Sequence, residues 1–127
     1  DIYIAGIDDV STEMDDAKSV AAQVNSKDFV IFLAHNPSAI SSSLLLTDRN
    51  GRGNWFDLGL FGHTHGGQIP FLEEAFNFNG VPSRYESGLL LENRSWLLIS
   101  RGVGTTGLPA RLFCQPEIHL ITVQSGT

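Results

Sequence analysis

An α/β fold with a mixed sheet is predicted for this 127-residue chain by three features of its sequence. Two unbroken apolar runs of strand length, residues 28–34 and 57–61, read as buried strands covered on both faces. A helical stripe precedes the first run. Short strands dominate the second half, so helix and strand alternate early and the sheet closes on antiparallel end strands.

The elements follow in order. Residues 1–7 carry Ile2, Tyr3, Ile4 and Ile7 and read as a strand, which Asp8-Asp9 breaks. Residues 11–24 read as a helix. Ser11 or Thr12 caps it, Glu13, Asp15 and Asp16 suit the positive end of its dipole, and Met14, Ala17, Val20, Ala21 and Val24 give its apolar stripe. His35-Asn36-Pro37 ends the strand at 28–34, a short helix is expected over 38–46, and residues 47–54 are loop. The strand at 57–61 stops at Gly62-His63-Thr64-His65-Gly66-Gly67, and residues 70–85 look irregular. Two strands, 89–91 and 95–100, flank the turn Glu92-Asn93-Arg94, and a glycine-rich loop over 102–107 leads to a last strand near 117–123. With no repeat and no composition break, residues 1–127 are expected to form one domain.

Composition narrows the function classes. Apolar residues make up 42% and charged residues 17%, enough for a packed core. Eight basic and fourteen acidic residues leave a net charge of −6, which argues against a nucleic-acid partner. A phosphate-containing substrate is still admissible, because bound cations reverse the local sign. The single cysteine, Cys114, makes neither an internal disulfide nor a thiolate zinc site and reads as a small core or rim residue. No apolar run reaches the roughly 18 residues of a spanning helix. Opening on Asp1 rather than Met, the chain is expected to be cut from something longer.

Three of the four histidines, His35, His63 and His65, lie immediately beyond the apolar runs. Ligands of open α/β sheets bind at the carboxyl ends of strands, so adjacent parallel strands would bring all three imidazoles to one edge. In an extended segment His63 and His65 share a direction. Gly62, Gly66 and Gly67 let the backbone bend tightly around an ion. Neutral imidazoles suit zinc, iron and similar ions, which makes a metal site the preferred reading. His119 falls inside the last strand and reads as an ordinary strand residue.

Other signals carry less. Gly102-Val103-Gly104-Thr105-Thr106-Gly107 matches a dinucleotide fingerprint in letters, yet Leu108-Pro109 follows where a helix must open. It reads as a loop at the site rim. Residues 48–59 fail the calcium-loop pattern at Arg52 and Gly59 and read as a solvated turn that covers the site. Arg84 and Arg111 are candidates for phosphate contact, Asn36 for a phosphate hydrogen bond, and Asp8 and Asp9 for carboxylates that orient a ligand histidine.

Ala34-His35-Asn36-Pro37, followed by Asp57-Leu58-Gly59-Leu60-Phe61-Gly62-His63-Thr64-His65-Gly66-Gly67-Gln68-Ile69, closely resembles the last two motifs of the calcineurin-like metallophosphoesterases. Ile4-Ala5-Gly6-Ile7-Asp8-Asp9, Arg84-Tyr85, Leu108-Pro109-Ala110-Arg111 and Pro116-Glu117-Ile118 resemble the bacterial branch that includes membrane- and cell-wall-associated phosphohydrolases. The resemblance implies an α/β/β/α sandwich in the whole protein, with one sheet of it here. It implies two divalent ions (manganese, zinc or iron), His35 and His63 on one and His65 on the other, with a metal-activated hydroxide attacking phosphorus in line. Asn36, Gly104 and Arg111 become the substrate-binding candidates, and the substrate a phosphomonoester or phosphodiester, small or lipid-linked. The family's Asp-x-His, Gly-Asp and Gly-Asn-His motifs do not occur in this sequence. The chain therefore reads as the C-terminal half of such a domain, nearly inactive alone. It is expected to pair with the missing N-terminal half, or with a second copy through an exposed sheet face. The competing expectation is a stand-alone module in which the three histidines hold one ion without catalysis.

Overall fold

The computed structural model describes residues 1–10 and 16–126. Along the chain come β1 (Ile2–Gly6), α1 (Ala17–Ala21), β2 (Phe29–Leu33), α2 (Ala39–Ser43), β3 (Leu58–Phe61), α3 (Pro70–Phe76), β4 (Gly88–Glu92) and β5 (Ser95–Ile99). They build one five-stranded sheet in the order β1-β2-β3-β5-β4. β1, β2, β3 and β5 run parallel, and β4 is an antiparallel edge strand. Glu92 pairs with Ser95 across a two-residue turn, whose Asn93 and Arg94 take the positive φ of 46° and 66° that a tight hairpin demands. The α/β class and the mixed sheet agree with the sequence.

One face of the sheet is the core. Val30 and Phe32 of β2 and Leu97 and Ile99 of β5 are fully buried, with Ala21 of α1, Ile40 of α2, Trp55 and Phe56 packed over them. Phe32 is the centre of an aromatic cluster, its ring 4.9 Å from Trp55, 5.2 Å from Phe56 and 6.0 Å from Phe61. Burying an indole is favourable only if its N–H is satisfied, and Trp55 Nε1 donates to the Ser43 carbonyl at 2.8 Å.

The other face is equally apolar but only partly covered. The register lines up Ile4, Ile31, Leu58, Trp96 and Leu91 in one row, and Leu33, Leu60, Leu98 and Leu89 in the next. Ile4 is 71% exposed, Leu91 56% and Trp96 48%. An apolar strand run normally means cover on both sides, and here the composition is that of a doubly covered sheet with one face left largely open.

Four local expectations need correction. Among the described residues of the helix read over 11–24, Ala17–Ala21 is the regular part, and the Asp16 carboxylate caps it by accepting the Ser19 N–H at 2.9 Å. The caps proposed at Ser11 and Thr12, with Glu13, Met14 and Asp15, lie outside the described residues. Part of 70–85 is helical: Pro70 sits at the first turn, where its missing N–H costs nothing, and Asn77 ends α3 in the left-handed conformation. Residues 117–123 form no strand. The segment pairs with neither edge strand, β1 nor β4; it lines a cavity with Phe29, Leu58 and Trp96, its Ile118 and Leu120 are exposed, and His119 meets Glu117 at 3.3 Å. Finally, the 47–54 loop lies at the opposite end of the sheet from the histidines, since Asp48 and Arg49 bond Ser26 and Val24 ahead of β2. It is pinned rather than merely solvated. Burial works against the Asp48 charge, yet N–H groups of Ser26, Arg52 and Asn50 hold its carboxyl far below the usual range.

Candidate metal centre

The parallel pairing of β2 with β3 continues past both strands. Ala34 N–H donates to Leu60 O at 3.2 Å and Gly62 N–H to His35 O at 3.0 Å. That ladder sets His35 and His63 side by side at the carboxyl edge, with His35 Nε2 3.3 Å from His63 Nδ1 and the rings 5.1 Å apart at 78°. Burial, helped by the neighbouring His35, pushes the His63 pKa below its ordinary value, while Asp9 opposes and His65 adds to the depression. A neutral imidazole keeps the lone pair that a cation needs.

His65 is held differently. Its segment is not extended, as expected from the His-x-His spacing, but coiled: His63 and His65 have φ of 67° and 53°, and a tight turn runs through His65–Gly67. Left-handed backbone at two non-glycine residues costs energy that the surroundings must impose. Buried Thr64 supplies one anchor, donating from Oγ1 to Glu86 O at 2.6 Å and accepting the Gly66 N–H at 3.2 Å. Asn79 Nδ2 bonds the Thr64 carbonyl at 3.0 Å. His65 Nδ1 is buried and finds no hydrogen-bond partner among the described residues, the condition of a nitrogen whose partner is a ligand.

The three imidazoles therefore divide into a pair and a single. Among the described residues, no three histidine, cysteine, aspartate or glutamate side chains converge closely enough to hold one ion. The donor chemistry fits divalent cations: two facing imidazoles for one, and an orphaned imidazole nitrogen beside it.

The remaining candidates fall into place unevenly. Arg111 spends its guanidinium on backbone: Nε and Nη2 on Gly104 O at 2.9 and 2.6 Å, Nη1 on His65 O at 3.1 Å, and Nη2 on Arg101 O at 2.7 Å. It braces the His65 turn against the glycine-rich loop, which stands at the site rim as expected, and Gly104 is an anchor point of that brace. Asn36 Oδ1 accepts the Ser38 N–H at 2.9 Å, shaping the turn after β2. Arg84 is directed to Tyr85 and Glu92. Cys114 is buried, its Sγ 3.2 Å from the carbonyls of both His65 and Gly66. Sequence reasoning missed the props Thr64, Asn79 and the Arg101–Glu117 ion pair at 2.7 Å; the only signal was polar residues flanking a turn of positive φ.

That ion pair yields a prediction. The Arg101 hydrogen bond holds the Glu117 carboxyl at about 2, against desolvation. A depressed carboxyl stabilises the fold above its unfolded pKa, and the gain is lost as pH falls towards 2. Glu117→Gln should therefore cost about 1 kcal/mol at pH 7, a modest value for a partly solvated pair. Denaturant midpoints of the two proteins should converge near pH 2; a constant gap would contradict the assignment.

A mixed sheet carrying imidazoles at the carboxyl edge of its parallel strands defines an α/β protein with a candidate metal site. Comparison with known proteins sharpens it. The chain is 35% identical over 124 residues to YpbG of Bacillus subtilis, covering 96% of this chain and 42% of that protein. It is 33% identical over 128 residues to the metallophosphoesterase YkuE of the same organism, covering 98% and 41%. It is 37% identical over 97 residues to the phosphodiesterase YaeI of Escherichia coli, covering 72% and 31%. The chain thus spans less than half the length of these relatives. No family model matches it, and no solved structure matches it. The chain belongs to the calcineurin-like metallophosphoesterase superfamily.

Proposed function

We propose that this chain is the C-terminal, ligand-bearing part of a two-ion phosphoester hydrolase. The observation that carries the reading is the division of the histidines, His35 facing His63 at 3.3 Å with His65 outside the pair. A single three-histidine ion would require a convergence that these residues lack. Divalent ions, when bound, supply neutralisation of charge on the phosphate and a lowered pKa for water. The chain's own part is to hold the imidazoles at a fixed edge: β2 and β3 fix His35 and His63, and the Thr64, Asn79 and Arg111 bonds fix His65.

Two features support the partial-domain reading. The second sheet face is apolar and open, and residues 117–123 carry strand patterning without a strand partner. Both fit a layer supplied by the remainder of a protein as long as the relatives. The test is metal content, light scattering and hydrolysis of bis-p-nitrophenyl phosphate. These are measured on the chain alone and after adding a chain that bears the Asp-x-His, Gly-Asp and Gly-Asn-His motifs. Two ions and hydrolysis that appear only in a one-to-one complex are expected. One ion, unchanged by the added chain, would favour the stand-alone module. A homodimer that blocks complex formation would assign the open face to a second copy.

A further inference from the structure

Beside the histidines lies a cavity of about 390 Å3, lined by His63 and His65 together with Ile69, Leu72, Phe78 and Leu108. Its size falls within the span of sites that hold small organic groups. Apart from the two histidines, its amide and carboxylate side chains are engaged within the protein. Gln68 Nε2 donates to Thr106 O at 3.1 Å and Leu108 O at 2.9 Å, and Gln68 Oε1 accepts the Thr106 N–H at 2.8 Å. Glu73 Oε1 accepts the Asn79 N–H, and the Asn79 amide is spent on Thr64. Among the described residues no lysine or arginine lines the cavity, and its one carboxylate, Glu73, repels anions. Away from the histidines a phosphate therefore meets no cationic side chain, whereas an uncharged carbon group meets the apolar side chains of Ile69, Leu72, Phe78 and Leu108.

The mouth continues the pattern. Phe78 is 71% exposed and stacks on Phe76 with centroids 5.4 Å apart, and Leu108 is 59% exposed on the facing loop. Exposed aromatics at the rim of a concave site are the usual mark of an apolar ligand's path. The Gln68 bonds hold the Leu108 loop against this opening, so the two walls form a fixed slot and not a loose surface.

We propose that this cavity takes the uncharged apolar arm, alkyl or aryl, of a phosphoester whose phosphate lies at the histidines. The assignment rests on the phosphoesterase reading and specifies its substrate class: esters with a carbon arm several atoms long, in preference to sugar- or nucleotide-borne phosphates.

Calorimetric titration of the zinc-loaded chain with methyl phosphate, hexyl phosphate and 1-hexanol tests it. Hexyl phosphate should bind about tenfold or more tightly than methyl phosphate, a conservative expectation for the extra methylenes buried. Phe78→Asp and Leu108→Asp, both at exposed positions that folding tolerates, should each remove that preference while methyl phosphate binding persists. Equal affinities for the two phosphates would overturn the pocket assignment and leave the phosphoester reading standing. Hexanol bound in the cavity with no response to either phosphate would overturn the phosphoester reading, and the ligand assignment with it.

Discussion

Gly66→Ala is expected to destabilise the protein by about 3 kcal/mol and to abolish ordered ion binding at His65. Gly66 has φ of 62°, a conformation that alanine adopts only under strain. An added Cβ would also meet the Arg101 side chain and Cys114 Sγ. Neither neighbour yields easily: Arg101 is drawn tight by its 2.7 Å pair with Glu117, and Cys114 is buried with its sulfur on the His65 and Gly66 carbonyls. Strain and overlap therefore add. Gly53→Ala is the matched control, because nothing lies within 4 Å of a Cβ there and its φ is not left-handed; that change should stay within about 0.5 kcal/mol of the parent. Urea unfolding of the two variants decides the matter, and equal midpoints would show that the turn is not the rigid element described. Because Arg101 resists only through Glu117, adding Glu117→Gln to Gly66→Ala should cost less than the two single changes summed.

What the sequence made legible was set by chemistry that repeats locally. Residues 28–34 and 57–61 announced β2 and β3 because a covered strand needs a continuous apolar run, and the strand ends placed His35 and His63. The hairpin of β4 and β5 was legible because the polar turn Glu92-Asn93-Arg94 separates two apolar runs and Asn93 tolerates positive φ. The conformation of His63 and His65 was not. Their left-handed backbone is held by Asn79, Glu86 and Arg111, partners 15, 22 and 46 residues distant in their bonds to Thr64 and His65, and no local pattern encodes such a constraint. The strand expected at 117–123 failed for a related reason. Alternation records a preference for pairing but names no partner: among the described residues the outer edges of β1 and β4 both stay unpaired, and the segment lies beside Leu58 and Trp96 instead. The open face was written in the sequence as well, since β2 is apolar at every position, but the letters say only that cover is wanted.

The second large effect concerns the pair itself. His35→Ala and His63→Ala should each weaken zinc binding to the isolated chain by about 100-fold or more, since loss of even an outer partner of a metal ligand costs 10- to 100-fold. Because the two imidazoles face one another at 3.3 Å and would serve one ion, removing both should cost little more than removing either. His65→Ala predicts a different pattern. With its Nδ1 orphaned and its side chain outside any three-donor group among the described residues, its removal should leave that first ion nearly untouched. Its effect should appear only in the reconstituted complex, as loss of the second ion and of hydrolysis. Competition titration against a chromophoric chelator separates the cases on the chain alone. A His65→Ala loss as large as that of His63→Ala would mean that the three imidazoles share one ion. In that event the turn from His63 to Gly67 must rearrange on binding, breaking the Thr64 and Arg111 bonds that now hold it, and the two-ion reading would fall.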